Sequence, residues 1–390
     1  MRTGDQTLVK QLNKSIVLEK IKEKCPLSRA QISDITGLNK ATVSTLVSEL
    51  MEEQLVYEIG TGKSSGGRRP VMLYFNKNAG YSIGVDLGVN YLLTVLTNLD
   101  GEIIKEEMIT IKEQSFESVL PLLKKSIHLM IDSAPNSPYG VVGIGVGVPG
   151  VVDDKGVILF APNLKWRNIH LRDYLMEEFN IPVIIDNEAN AGAWAEKQFG
   201  IAKNISNMIY VSVGIGIGTG IIIQDSLYKG AAGFSGEMGH ISIEMNGKKC
   251  GCGNKGCWEM YASENALLTQ AKLLLKTEDD IDIFKLLNLA KEGKHSIINL
   301  FNEIGEYIGI GLANIVNIFN PENIIIGNRF ACTESLLANP INRVIEQRSL
   351  PFHQQNLSIN FSSLGHNSCA LGSSSFAVFN FFADNKVDVI

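Results

Sequence analysis

Three cysteines fall within eight residues in "KKCGCGNKGCWEM", at Cys250, Cys252 and Cys257, and His240 stands ten positions upstream. This cluster constrains the fold more than any other stretch. Thiolate sulfur and imidazole nitrogen are the ligands of structural Zn²⁺, which takes four of them tetrahedrally. Cys250, Cys252, Cys257 and His240 supply four, and Gly251, Gly253 and Gly256 allow a tight loop to wrap one ion. Disulfide pairing or a redox pair would leave an odd thiol. Cys25, Cys332 and Cys369 are isolated and read as core residues.

The compartment bears on that choice. No apolar run among the 390 residues reaches the length of a membrane span, and "MRTGDQTLVKQLNK" lacks the apolar stretch of a signal peptide. The expectation is a soluble cytoplasmic protein with no membrane partner, where thiols stay reduced and clustered cysteines bind metal. With 45% hydrophobic residues the chain can build a sizeable core over two or three domains. Its net charge of −6 hides an asymmetry. Residues 1–75 carry 11 Lys and Arg against 8 Asp and Glu, while the remainder carries 24 against 33. A basic leading segment suits an anionic partner, although a solvated helix face gives the same count.

That segment reads as helices. Leu8, Leu12, Ile16 and Ile21 recur at near-helical spacing. In "CPLSRAQISDITG", Ser28 is placed to cap a helix, Ile32 and Ile35 to face inward, and Gly37 to end it. In "LNKATVSTLVSELMEEQLV", Asn39 caps a second helix that lines up Val43, Leu46, Val47 and Leu50. A short helix, a Gly-bearing turn and a second helix make a helix-turn-helix, whose second helix enters the major groove of double-stranded DNA by its first turn. Lys40, Ala41, Thr42, Ser44 and Thr45 occupy that turn and are candidate DNA contacts. "LVYEIG" and "VMLYF" then flank "TGKSSGGRRP" as a two-stranded wing, with Arg68 and Arg69 as candidates for a minor groove. A plain linker, or a helical bundle used for dimerisation, are the blander readings. The combination of helix-turn-helix, basic wing and local positive charge favours DNA binding.

From about residue 80 strands and helices alternate, which predicts α/β layers. "YSIGVDLGVNYLLTVLTNLDGEIIKEEMITI" and "MIYVSVGIGIGTGIIIQDSLY" are Gly-bearing hairpins, suggesting two related lobes with a ligand cleft between them.

Glu237-x-Gly239-His240, followed by Cys250-x-Cys252-Gly253-x-x-Gly256-Cys257-x-Glu259, resembles the signature of the ROK family of repressors and sugar kinases. Both hairpins and "DNEANA" fall in family order, so the resemblance covers most of the chain. It implies an actin-like, two-lobed α/β sugar-binding domain, here preceded by an all-α or winged helix-turn-helix domain. The corresponding boundaries are 1–76 for the DNA-binding domain and 77–390 for the ROK domain. In the latter the first lobe is about 77–190 plus a C-terminal helix at about 372–390, and the second lobe is about 191–371. The resemblance also implies His240, Cys250, Cys252 and Cys257 as zinc ligands. It implies Asn187, Glu188, Glu237, His240 and Glu259 as sugar contacts, with Asn163 of "APNLKW" as a further candidate. "SGGRRP", "VPGVVD" and "APNLKW" look most like the repressor branch that answers to xylose, so a sugar effector, xylose, and a homodimer on a palindromic operator are expected.

The rival reading is a sugar kinase. ROK kinases carry D-x-G-G-T and G-T-G-x-G-G-G loops around ATP. Here "DLGVN" places Val89 and Asn90 where the small hydroxyl-bearing pair belongs, and "GIGIGTG" places Ile215 where Thr belongs. Branched side chains obstruct close approach of backbone N–H groups to phosphates. The kinase base, an Asp, is Glu188 here, with altered reach. These departures, with the fused DNA-binding module, predict a sugar-controlled switch without enzymatic activity.

Overall fold

The computed structural model describes residues 6–61 and 70–384. The leading segment folds as α1 (Gln6–Lys24), β1 (Leu27–Ser28), α2 (Arg29–Thr36), α3 (Lys40–Glu52), β2 (Val56–Thr61) and β3 (Val71–Phe75), with sheet order β1-β3-β2. The caps anticipated from sequence form. The Gln31 N–H donates to the Ser28 hydroxyl at 3.3 Å and the Gln31 side chain accepts from the Ser28 N–H at 2.9 Å, a closed capping box. Gly37 takes φ +70° and ends α2, and the Asn39 side chain accepts from Thr42 N–H at 2.8 Å to start α3. Val43, Leu46, Val47 and Leu50 are buried against Ile32, Val17 and Ile21.

The helical spacing of the first segment is realised in α1, but the inward placing of Ile35 fails. Ile35 is 42% exposed, and Leu12 and Ile16 of α1 are 40% and 42% exposed. At about 100° per residue, Leu12 and Ile16 lie roughly a third of a turn round α1 from Val17. The flank shared by Val17 and Ile21 is the one that faces α3, as the Lys10–Glu49 and Lys14–Glu53 ion pairs mark. Arg68 and Arg69 lie outside the described residues.

The rest of the chain builds two sheets of matching topology. The first uses β4 (Tyr81–Leu87), β5 (Tyr91–Asn98), β6 (Ile103–Thr110), α4 (Phe116–Ser133) and β7 (Val141–Val148). A small sheet of β8 (Val151–Val152), β9 (Ile158–Ala161) and β10 (Trp166–Ile169) follows, then α5 (Leu171–Phe179), β11 (Val183–Asn187) and α6 (Glu188–Gln198). The second sheet uses β12 (Met208–Val213), β13 (Ile217–Ile223) and β14 (Ser226–Leu227). Helices α7 (Glu259–Ala262), α8 (Glu264–Leu275), α9 (Ile283–Lys291) and α10 (His295–Phe319) precede β15 (Asn323–Gly327). Next come α11 (Glu334–Arg348), α12 (Pro351–Gln354), β16 (Ser358–Phe361) and α13 (Ser368–Asp384).

The orders are β11-β7-β4-β5-β6 and β16-β15-β12-β13-β14. In each, the first-formed strand pairs antiparallel with its hairpin partner and parallel with the later strand, β4 with β7 and β12 with β15. This is the duplicated, two-lobed α/β architecture anticipated from the paired hairpins. Each sheet has its own apolar core, one around Ile83, Val85 and Ile144 and the other around Val211, Phe301 and Ile308. No helix among the described residues is long and apolar enough to cross a membrane.

Candidate functional site

The cleft between the lobes is where the hairpin tips, the N-terminus of α6 and the cysteine loop meet. A cavity of about 230 Å³ there is lined by all six sugar candidates from sequence: Asn163, Asn187, Glu188, Glu237, His240 and Glu259. They arrive from distant stretches because β9, β11 and the loops after β13 all end on the cleft.

The roles differ once geometry is known. Asn187 caps α6: its side-chain oxygen accepts from Ala189 N–H at 2.8 Å, and its amide donates to Gly150 O at 2.9 Å. It therefore holds the cleft wall in shape with both ends of its amide. Glu188 follows as the first residue of α6, beside Asp86 and Glu237. Burial, then repulsion from Asp86 and Glu237, push its carboxyl up to about 8, against a weaker opposing hydrogen bond from Ser212. At neutral pH Glu188 is mostly protonated, able both to donate to and accept from a hydroxyl. Glu237 is also raised, by loss of solvent in the cleft, with Glu259 adding and His240 opposing.

The cysteine loop is built to be tight. Ile243 N–H donates to Gly256 O at 2.9 Å, Gly256 N–H to Lys248 O at 2.8 Å, and Cys250 N–H to Asn254 O at 2.9 Å. Gly256 takes φ +72°, where a side chain is strained. The ligand atoms of His240, Cys250, Cys252 and Cys257 lie within 4.8 Å of one another. Cys252 Sγ and Cys257 Sγ are 3.7 Å apart, and Cys250 Sγ stands 3.6 Å from His240 Nδ1. A tetrahedral zinc with Zn–S near 2.3 Å and Zn–N near 2.0–2.1 Å separates two sulfurs by about 3.8 Å and sulfur from nitrogen by about 3.6 Å. These two spacings match that geometry, whereas a disulfide needs sulfurs at about 2.05 Å. Burial holds the Cys250 thiol well above its usual range, a cost that a bound cation would reverse.

Glu259 stands directly beside this cluster. Its Oε1 is 3.0 Å from Cys250 Sγ and 3.4 Å from His240 Nδ1, while His240 Nε2 faces Glu237 at 3.7 Å. The imidazole thus turns one nitrogen to the sulfurs and the other to the cleft. Of the isolated cysteines, only Cys369 is buried; Cys25 and Cys332 are exposed, because they fall in the connection after α1 and in the short helical turn before α11.

Sequence reasoning missed a second cluster, at the other end of the cleft. Arg329 donates to Glu264 at 3.1 Å and to Asn90 at 3.0 Å, and its guanidinium lies 5.0 Å from the Tyr91 ring centre. Tyr91 donates its hydroxyl to Asp86 at 2.7 Å. Burial raises Asp86 to about 6, partly offset by its hydrogen bonds to Tyr91 and Cys369 and by Arg329. Asn90 and Tyr91 belong to the first sheet's hairpin, Glu264 and Arg329 to the second half, so this one side chain ties the lobes together. No motif marks it: 239 residues separate Arg329 from Asn90.

The exposed first turn of α3 presents Lys40, Ala41, Ser44 and Thr45, with Thr42 half-buried beside them. Four of the five DNA candidates described are therefore free to meet a partner.

A duplicated actin-like α/β domain with a carboxylate-lined cleft and a Cys₃His loop defines the class: the chain belongs to the ROK family, which it matches over residues 82–378. It is 48% identical over 381 residues, 98% of each chain, to the xylose repressor of Bacillus spizizenii. Among solved structures it is similar to a ROK family transcriptional regulator, a homologue of the Escherichia coli MLC protein. That match has 29% identity and a TM-score of 0.81, covering 97% of this chain and 98% of the other. A ROK family glucokinase from Streptomyces griseus, in complex with glucose and AMPPNP, matches at 28% identity and a TM-score of 0.72. It covers 76% of this chain and 99% of its own.

Proposed function

We propose that this chain is a sugar-responsive transcriptional repressor of xylose utilisation, acting in the cytoplasm as a homodimer. Residues 1–76 form a winged helix-turn-helix domain that reads double-stranded operator DNA through Lys40, Ala41, Thr42, Ser44 and Thr45, with Arg68 and Arg69 on the wing. Residues 77–390 form the sugar-binding domain, whose cleft takes xylose. The observation that carries this reading is the match to a named xylose repressor over 98% of both chains, which spans head and cleft together.

The cleft chemistry supports it. Glu188, Glu237 and Glu259 offer a protonated acid and carboxylate oxygens to sugar hydroxyls, and Asn163 adds an amide. His240, Cys250, Cys252 and Cys257 would hold zinc, which supplies rigidity and fixes the imidazole against the cleft. Sugar bound across the cleft favours one lobe arrangement over another, which moves the two reading heads of the dimer out of register with a palindrome. A differential of about 1–3 kcal/mol between the two states suffices for appreciable release.

The kinase reading is disfavoured by the cluster at the far end of the cleft. Kinases need open hairpin backbone there for phosphates. Here Asn90 and Tyr91 are engaged by Arg329 and Asp86, and the Tyr91 ring packs over Gly88, occupying the space a side chain there would take. Coupled detection of ADP with a panel of pentoses and hexoses tests this directly. Background rates are expected; sugar-dependent turnover at ordinary enzyme rates of about 1–100 per second would overturn the reading. In parallel, calorimetric titration with D-xylose is expected to show saturable binding, and no heat with any sugar would remove the effector.

A further inference from the structure

Helix α13 runs from the cleft to the DNA-reading head, and its two ends are fastened differently. At the cleft end, Cys369 hydrogen-bonds Asp86 and packs on Gly147, whose own neighbour is the Glu188 backbone. Along its length it lies directly on the first sheet. A Cβ added to Gly84 or Gly145 would fall less than 3.0 Å from the carbonyl oxygens of Ala370 or Ser373, so no side chain cushions the contact. Ser82 donates to Ser374 O at 3.0 Å and the Thr97 and Ser374 hydroxyls meet at 2.5 Å, pinning the register. Gly372 is equally close to Ala191 of α6, the helix that begins with Glu188. Trp194 of α6 stacks on Phe376 at 6.1 Å.

About 25 Å further on, at 1.5 Å per residue over 17 residues, the helix ends among residues of the head. Val378 is buried in the same core as Val17, Ile21, Leu50 and Leu73. Phe382 packs 6.4 Å from Phe75 of β3, Lys22 of α1 sits 4.7 Å over its ring, and Phe381 lies 5.1 Å from Tyr139. Tyr139 in turn donates its hydroxyl to Glu53 O, just past the recognition helix α3, at 2.9 Å.

We infer that α13 is the element that couples the sugar cleft to the DNA-reading head, and that Phe381 and Phe382 are the positioning residues at its head end. A close-packed core is bistable rather than compliant, so a shift of Glu188 and α6 on sugar binding moves α13 along its glycine-floored seat. The rings at its end then re-aim α1, β3 and, through Tyr139, the end of α3. The inference rests on the proposed repressor function.

The test uses the full-length, zinc-loaded chain, D-xylose, and a duplex selected by the wild-type protein from a random pool. Wild type is expected to lose DNA affinity roughly 5–150-fold on saturation with D-xylose. Phe382→Ala is expected to keep calorimetric D-xylose affinity within about twofold while its DNA response shrinks to less than about threefold. Phe382→Leu should restore much of the response, and Phe352→Ala, an 82% exposed ring elsewhere, should leave it intact. A Phe382→Ala head that melts separately would lose DNA binding with and without sugar. For that case amide exchange on wild type provides the second reading: D-xylose should change protection in residues 17–24 and 71–75. If wild type responds and Phe382→Ala responds by the same factor, or those amides are indifferent to D-xylose, the coupling role of α13 is overturned while the repressor stands. If wild type ignores D-xylose altogether, the repressor reading itself falls.

Discussion

The three glycines of the cysteine loop should tolerate alanine very unequally. At Gly251 an added Cβ meets nothing within 4 Å and no positive φ is involved, so Gly251→Ala should be close to neutral. Gly253 has equal space but φ +99°, so only backbone strain of about 1–2 kcal/mol applies. Gly256 combines φ +72° with a Cβ less than 3.0 Å from the Glu244 carbonyl oxygen, adding about 1–3 kcal/mol of overpacking. The total for Gly256→Ala is about 2–5 kcal/mol. With an unfolding entropy of about 2.1 cal/mol/K per residue over a domain of roughly 300 residues, that lowers Tm by about 3–8 °C. Since Cys257 is the next residue, bound zinc should fall as well. Differential scanning calorimetry with colorimetric zinc determination checks both. Equal Tm and equal zinc for Gly251→Ala and Gly256→Ala would refute the loop geometry.

Three further outcomes follow from single side chains. Glu188 holds a proton in the folded chain between its ordinary value of 4.5 and about 8, while the unfolded chain releases it, so its contribution makes stability fall as pH rises through that window; Glu188→Gln should flatten the pH dependence of Tm between pH 5 and 8. Arg329→Ala strands the fully buried Glu264 carboxylate; urea denaturation should show a loss of about 2–4 kcal/mol, reduced because the guanidinium keeps 28% exposure, and Arg329→Ala with Glu264→Gln should recover part of it. Asn39→Ala removes the cap of α3 and should cost about 1 kcal/mol, read as a lower urea midpoint for the head, with D-xylose affinity unchanged.

Much of this was legible in the chain itself, wherever the signal is local. Ser28, Gly37 and Asn39 announce the helix-turn-helix because capping is decided within four residues. The cysteine spacing announces the Cys₃His cluster because three cysteines within eight residues are held together by one short loop. Topology was legible through the two glycine hairpins, whose sheets indeed repeat one strand order. Tertiary choices were not legible. Apolar spacing on α1 fits more than one face, and packing on α3 selected Val17 and Ile21 over Leu12 and Ile16. Cys25 looks apolar in sequence yet ends up exposed. Arg329 has no motif around it, and only the folded lobes bring it to Asn90 and Glu264. That Asn187, a sugar candidate that lines the cleft, also caps α6 and holds Gly150 was likewise not legible.

The most direct measurement is fluorescence anisotropy of a labelled, selected operator duplex bound to the full-length chain, followed as D-xylose is added at fixed zinc. A saturable fall in anisotropy, with a midpoint tracking the calorimetric D-xylose affinity, is the predicted result. Anisotropy that stays at its bound value through saturating D-xylose would contradict the account.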